Sequence, residues 1–136
     1  GMEVTMDEKL SEIDDQCDLV VLPGGIPGVP NLKTNSKVQA MVKAQNDRGG
    51  YVAAICAGPT ALGAFGVLAD KNATCYPGCE DQLMAKRHST EPVVVDGNVI
   101  TSRGVGTAIE FALKLVEILI DRQTADDLAE KIVYKR

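Results

Sequence analysis

Two continuous apolar runs dominate the hydrophobic pattern of the chain, at residues 18–22 and 51–55. Each run ends in small residues: the first at Gly24-Gly25, the second at Cys56 and Gly58. Short apolar runs bounded by such turns are typical of strands covered on both faces of a parallel sheet. The two runs therefore predict two buried strands, each followed directly by a tight turn.

The rest of the pattern alternates between helical and extended segments. Apolar spacing, caps and glycine stops predict helices at residues 36–48, 58–65, 80–86, 107–120 and 124–132. Further short strands are expected at residues 3–6 and 73–76, a polar loop at 87–92, and a hairpin at 93–101 that turns at Asp96-Gly97. This alternation predicts an α/β sandwich with a mainly parallel sheet.

Three turns are expected to meet at one edge of that sheet, because the carboxyl ends of parallel strands lie together. They are Gly24-Gly25, Cys56-Ala57 and Arg103-Gly104. Glycines after a strand allow close backbone approach, but neither common phosphate-binding glycine motif is present. An anion-binding turn and a purely structural turn are equally compatible with Gly24-Gly25.

Cys56 is the candidate nucleophile. Small residues, Ala54 and Gly58, lie two positions before and after it, which is the spacing of a nucleophile elbow between a strand and a helix. Pro59 fits the first turn of the helix that follows. A buried structural cysteine is the alternative, and the spacing alone does not decide between the two.

Composition limits the class of protein. The 136 residues carry a formal net charge of −5, with scattered Lys and Arg, which argues against nucleic-acid and membrane partners. The four cysteines and the single histidine, His88, lack zinc-ligand spacing, so no metal is expected. No secretory signal or membrane span is evident, and we expect one domain with reduced thiols in the cytoplasm.

Four segments together resemble the ThiJ/PfpI superfamily, in the branch of the parkinsonism-associated protein DJ-one and its bacterial relatives. They are Val-Leu-Pro-Gly-Gly at 21–25, Ala-Ala-Ile-Cys-Ala-Gly-Pro at 53–59, Ala-Thr-Cys-Tyr-Pro-Gly at 73–78 and Thr-Ser-Arg-Gly-Val-Gly-Thr-Ala at 101–108. They occur in the family's order, and the match runs from Asp18 to the last helix. The resemblance implies a flavodoxin-like three-layer sandwich, usually a homodimer, with Cys56 as the reactive residue.

The resemblance also implies a site and an activity. Gly25 and Ala57 would supply the oxyanion-binding N–H groups, and Gly24, Tyr76, Arg103 and Gly104 would form the edge of the site. The implied function is a stress-response enzyme that acts on small reactive carbonyls without a cofactor, like glyoxalase III or a deglycase. The alternatives are a redox sensor or chaperone-like protein that uses an oxidisable Cys56, and an inactive truncated fragment.

The chain departs from the family pattern in three places. Peptidase-like members have a histidine directly after the cysteine, and Ala57 at that position makes peptidase activity unexpected. Tyr76 stands where several relatives have a histidine, and His88 has no assigned role. The family's N-terminal strand–helix unit, with a glutamate that bonds the cysteine, has no counterpart here. We therefore expect an N-terminally incomplete domain, beginning at residues 1–5, that pairs with a second copy or with a missing N-terminal fragment.

Overall fold

The structure is a computed structural model that describes residues 3–13 and 16–135. Gly1 and Met2, at the start of the chain that the sequence analysis singled out, lie outside the described residues. In chain order the elements are β1 (Leu19–Leu22), α1 (Gly28–Thr34), α2 (Ser36–Asp47), β2 (Tyr51–Ile55), α3 (Pro59–Ala64), β3 (Asn72–Ala73), β4 (Arg87–His88), β5 (Val93–Asp96), β6 (Val99–Ser102), α4 (Ala108–Leu119) and α5 (Arg122–Lys131).

The main sheet has the strand order β1-β2-β6-β5. The strands β1, β2 and β6 are parallel, and β5 runs antiparallel to β6 as the other half of the predicted hairpin. The register pairs Leu22 with Ala54, and Ile55 with Ser102, so the three parallel strands end level with one another. The turns that follow β1, β2 and β6 are therefore brought to one edge, as predicted.

Helices cover the sheet on both faces, which confirms the flavodoxin-like α/β sandwich. On one face, Val52 and Ala54 of β2 belong to an apolar cluster that includes Val42 of α2 and Leu62 of α3. On the other face, a second cluster joins buried β2 and β6 residues to α4. Its buried members are Ala53, Ile100 and Phe111, with Leu115 and Ile118 packed against them. Alternate residues of β2 thus serve opposite cores, as expected for a buried strand.

Gln45 ties the amino ends of β1 and β2 to α2. It is fully buried, and its Nε2 donates to the carbonyl oxygens of Cys17, Asp18 and Tyr51 at 3.0, 3.2 and 3.3 Å. Its Oε1 accepts from Arg48. Gly50 passes so close that a Cβ at that position would overlap the Gln45 amide. A buried amide with these partners is satisfied, and it fixes where both strands begin.

The helix starts differ in detail from the sequence predictions. Helix α2, predicted to begin at residue 36, is capped by Asn35, whose side chain accepts from the N–H groups of Lys37 and Val38. Helix α1 was not predicted, because its sequence Gly-Val-Pro-Asn begins with poor helix formers. Thr107 precedes α4 but caps none of its N–H groups, because its hydroxyl bonds Gly104 instead.

Four predictions about short segments were wrong. Residues 3–6 form no strand, and both Val4 and Met6 are mostly exposed, so no buried face supports one. The strand expected at 73–76 is only β3, Asn72–Ala73, which pairs with β4 in a separate two-stranded sheet. That pairing places Arg87 and His88 in a strand and not in a loop. The helix expected at 80–86 is a single 3-10 turn, Glu80–Gln82.

None of the helices within the described residues is both long and apolar enough to cross a membrane.

Candidate active site

Cys56 lies at the turn between β2 and α3, in the strand–turn–helix arrangement that its spacing predicted. Its φ is 65°, a left-handed conformation that few residues other than glycine adopt. Gly58 lets the turn close, because a Cβ there would lie 2.7 Å from the carbonyl oxygen of Leu22 and 2.9 Å from that of Ile55. The thiol is partly exposed. A strained, partly exposed cysteine on a tight turn has the geometry of a nucleophile elbow.

Gly24 packs directly on the cysteine. A Cβ at Gly24 would lie 2.5 Å from the Cβ of Cys56 and 3.1 Å from its Sγ. The first glycine turn and the elbow are therefore in contact, and only a residue without a side chain fits between them. The sequence placed Gly24 at the edge of the site; the structure places it against the sulfur.

The backbone of Cys56 is held from two further directions. Its N–H donates to the carbonyl oxygen of Ser102 at 3.0 Å, and its carbonyl oxygen accepts from the N–H of Tyr76 at 2.8 Å. These bonds attach the elbow to the end of β6 and to the segment after β3. The cysteine is thus packed against the turn after β1 and hydrogen-bonded to the end of β6 and to the segment after β3.

Ala57 directly follows Cys56 in the chain, and Gly25 directly follows Gly24, which packs on the Cys56 side chain. Gly25 has a φ of 93°, and its carbonyl oxygen accepts from Val29 at the start of α1. Among the described residues, the N–H groups of Gly25 and Ala57 donate to no protein acceptor. The Gly58 N–H, in contrast, is bonded to the carbonyl oxygen of Ile55 at 2.9 Å. Helix α3 has six residues, so these local donors matter more than its dipole.

Tyr76 and Gly104 lie against each other. A Cβ at Gly104 would contact the tyrosine ring at 3.4 Å, and about half of the tyrosine side chain is exposed. Arg103 lies between β6 and Gly104. Its Nη1 donates to the carbonyl oxygen of Thr90 at 3.4 Å, and its buried Nε has no protein partner. The guanidinium therefore links the β6 turn to the segment before β5.

Ser102 and Thr107 hold the Arg103-Gly104 turn in place, a role that the sequence analysis did not assign. The Ser102 hydroxyl donates to the carbonyl oxygen of Pro92 and lies 2.7 Å from the Thr107 Oγ1. The same Thr107 oxygen accepts from the Gly104 N–H at 3.1 Å. Hydroxyl residues on either side of the glycine turn were the available signal, because such residues commonly bond local backbone.

The second thiol near the elbow, Cys75, has the opposite environment from Cys56. It is fully buried, and burial raises its pKa to about 11, with smaller contributions from the nearby charges of Glu80 and Cys79. Hydrogen bonds from backbone N–H groups at Glu80 and Gly78 lower the pKa of the Glu80 carboxyl. Cys75 is therefore almost entirely a neutral thiol near pH 7 and a poor nucleophile.

His88 is not part of the Cys56 contacts described above. It is exposed on β4 and lines an open cavity of about 460 Å³ with residues that include Arg87, Ser89 and Thr90. Cys56 does not line that cavity. Within residues 3–13 and 16–135, no group of three or more His, Cys, Asp or Glu side chains could hold a metal ion.

Comparison with known proteins identifies the family. The model of the DJ-1/PfpI family matches residues 1–118 of the chain. The chain belongs to the DJ-1/PfpI family. This membership confirms the resemblance drawn from the four motifs. One motif contains Cys56, and each of the other three contributes a residue that contacts it.

Individual members of the DJ-1/PfpI family support the assignment. The Parkinson disease protein 7 homolog of zebrafish (Danio rerio) is 46% identical over 121 residues, which cover 87% of this chain and 64% of that protein. The glutathione-independent glyoxalase DJR-1.2 of Caenorhabditis elegans is 35% identical over 135 residues, or 97% of this chain and 72% of that protein. A structure of oxidized Toxoplasma gondii DJ-1 superposes with a TM-score of 0.92 at 34% identity, covering 98% of this chain and 73% of that one. The chain thus spans slightly less than two thirds of the zebrafish protein.

Proposed function

We propose that the protein converts small 2-oxoaldehydes, such as methylglyoxal, to 2-hydroxy acids through Cys56, without a cofactor. The observation that carries the proposal is the partly exposed Cys56 at a strained elbow against the Gly24-Gly25 turn, with the N–H groups of Gly25 and Ala57 donating to no described protein acceptor. The nematode relative named a glutathione-independent glyoxalase supports the same reaction class. A role in the response to carbonyl stress follows from this reaction.

The reaction balances without an external oxidant or reductant. The Cys56 thiolate adds to the aldehyde carbon, and the new oxyanion accepts hydrogen bonds from the Gly25 and Ala57 N–H groups, which contribute about 3 kcal/mol. Transfer of the aldehyde hydrogen, with the electron pair of its C–H bond, to the neighbouring carbonyl carbon and protonation of that carbon's oxygen from solvent then give a thioester of the 2-hydroxy acid. Water cleaves the C–S bond, which gives the 2-hydroxy acid and the Cys56 thiol. The aldehyde carbon is oxidised as its neighbour is reduced.

The test is formation of lactate from methylglyoxal by the wild type and by Cys56→Ser. We expect loss of at least about a hundredfold in kcat/KM, because a serine hydroxyl is a far weaker nucleophile than a thiolate. Cys17→Ser is the matched control, since Cys17 is also an exposed free thiol but lies at the opposite end of β1. Equal activity of the wild type and Cys56→Ser would refute the assignment of Cys56.

A redox-sensing role is the second candidate, and the Toxoplasma gondii relative described as oxidized favours it. Peroxide would convert the Cys56 thiolate to sulfenate and then to sulfinate, each step transferring one oxygen atom and releasing water. The Gly25 and Ala57 N–H groups would bond the sulfinate oxygens. Mass spectrometry after mild peroxide treatment should show a gain of two oxygen atoms on the peptide that contains Cys56. The same gain on the exposed Cys17 alone would contradict this role.

We further propose that β1 is completed by another strand, from a second copy or from an N-terminal fragment. Strand β1 pairs with β2 on one side, and no other described strand pairs with its outer edge. Beside it lies a largely apolar groove of about 270 Å³, lined by Leu10, Ile13, Val20, Val21, Leu22, Pro23, Leu32, Val38 and Met41. Open edges beside apolar surface favour strand addition. Light scattering with intact-mass analysis tests this, and a stable monomer would contradict it.

We also propose a cytoplasmic location. All four cysteines are free thiols, which is the usual state in a reducing compartment. Fractionation of cells that express the tagged protein tests the location.

A further inference from the structure

Three exposed apolar side chains lie on the segments that meet at Cys56. Ile26 is 83% exposed, Val105 is 92% exposed and Tyr76 is 51% exposed. Single exposed apolar residues are ordinary on protein surfaces. Here one follows each of the two glycine turns, and the third belongs to the segment bonded to the cysteine itself. We call Ile26, Tyr76 and Val105 the apolar rim.

Each rim residue is, or lies within two positions of, a residue that contacts Cys56 or Tyr76. Ile26 comes two residues after Gly24, which packs on the Cys56 side chain. Val105 directly follows Gly104, which contacts the Tyr76 ring, and the Tyr76 N–H bonds the Cys56 carbonyl oxygen. The three rim residues therefore come from separate chain segments that are attached to the Cys56 turn.

Charged side chains in the two glycine turns do not counteract the apolar character of the rim. Arg103, the charged residue next to Gly104, is directed to the carbonyl oxygen of Thr90. The segment from Pro23 to Pro27 carries no ionisable side chain. A polar substituent would gain no ionic partner from these turns, whereas an alkyl or aryl group would remove apolar surface from water.

We propose that the apolar rim makes the site selective for 2-oxoaldehydes that carry an alkyl or aryl substituent, over unsubstituted glyoxal. This inference rests on the proposed function. The substituent contacts the rim both before and during the reaction, so the selectivity resides mainly in KM. One methylene group in a closed pocket changes kcat/KM by about 10-fold to 200-fold, and an open rim is expected to act at or below the lower end.

The experiment compares kcat/KM for phenylglyoxal and glyoxal in the wild type, Ile26→Ser and Val105→Ser. Because the two aldehydes differ in intrinsic reactivity, the informative quantity is how far their ratio changes between proteins. We expect the ratio to fall by about threefold to tenfold in each variant, through a higher KM for phenylglyoxal. Val4→Ser is the matched control, since Val4 is 81% exposed in the N-terminal segment, and it should keep the wild-type ratio.

A second measurement separates this inference from the proposed reaction. Alkylation of Cys56 by N-phenylmaleimide and by N-methylmaleimide needs no turnover, and their rate ratio should fall in the same two variants. Absence of turnover with every aldehyde would refute the proposed reaction, and the maleimide ratio would then decide on the rim. The proposed selectivity of the apolar rim would be overturned if both the aldehyde and the maleimide ratios stayed at wild-type values in both variants.

Discussion

Replacement of Gly24 by alanine is the sharpest test of the site geometry. The new Cβ would lie 2.5 Å from the Cβ of Cys56, 3.1 Å from its Sγ and 3.1 Å from the carbonyl oxygen of Ile55. Carbon atoms in contact normally lie about 3.5–4.0 Å apart, so a separation of about 1 Å must open. Rotation of the thiol cannot relieve the closest contact, because the position of a Cβ is set by the backbone. The two turns must therefore move apart.

This displacement is expected to reduce both the folding stability and the reaction rate. Overpacking of this kind costs about 1–3 kcal/mol of folding free energy. A shift of about 1 Å at a reacting group costs about a hundredfold in rate. We expect Gly24→Ala to remain folded, with a lower midpoint in urea, and to lose methylglyoxal turnover by about that factor. Alkylation of Cys56 by iodoacetamide should also change, and this readout does not depend on the proposed reaction.

Gly28→Ala is the control for Gly24→Ala. Gly28 begins α1 four residues later, and a Cβ there meets nothing within 4 Å. It should match the wild type in turnover and in Cys56 labelling. The reasoning would be refuted if Gly24→Ala kept wild-type turnover and a wild-type labelling rate, because the turns would then have more freedom than the contact allows.

Three further predictions concern stability. Gly63→Ala should lower the free energy of unfolding by about 3 kcal/mol in thermal denaturation, because its Cβ would overlap the carbonyl oxygen of Leu83; an unchanged midpoint would contradict this. Gln45→Leu should lower the free energy of unfolding in urea by about 2–3 kcal/mol, because three partly buried carbonyls lose their amide donor; an unchanged midpoint would contradict this. Burial raises the pKa of Cys75 to about 11 from an ordinary 9.0, so the unfolded chain releases this proton first and the wild type should lose stability between pH 9 and 11. Cys75→Ala should lose less over that window, and parallel stability curves would contradict the burial argument.

The sequence predicted the parts of the fold that depend on continuous apolar runs. Strands β1 and β2 and the elbow at Cys56 were readable, because buried strands and tight turns restrict residue type strongly. The β3–β4 pair was not readable, since two-residue strands carry no periodicity. Its existence depends on contacts between segments that are distant in the chain.

The candidate site, like the fold, was predictable only in part. Convergence of the three turns followed from the parallel sheet, but the direct contact of Gly24 with Cys56 did not. Glycine spacing shows that a side chain is missing without showing which neighbour needs the room. The links from Ser102 to Pro92 and Thr107 also depend on tertiary geometry, and no local pattern specifies them.

The pairing of β2 with β6 has a consequence for how the turn at Cys56 forms during synthesis. Residues 52–55 pair with residues 99–102, and the Cys56 N–H donates to the carbonyl oxygen of Ser102. A contact of such long range requires loop closure before it contributes any stability. Until residues 99–102 have been synthesised, these bonds cannot hold Cys56. The arrangement around Cys56 is therefore assembled late, once residues 99–102 have left the ribosome.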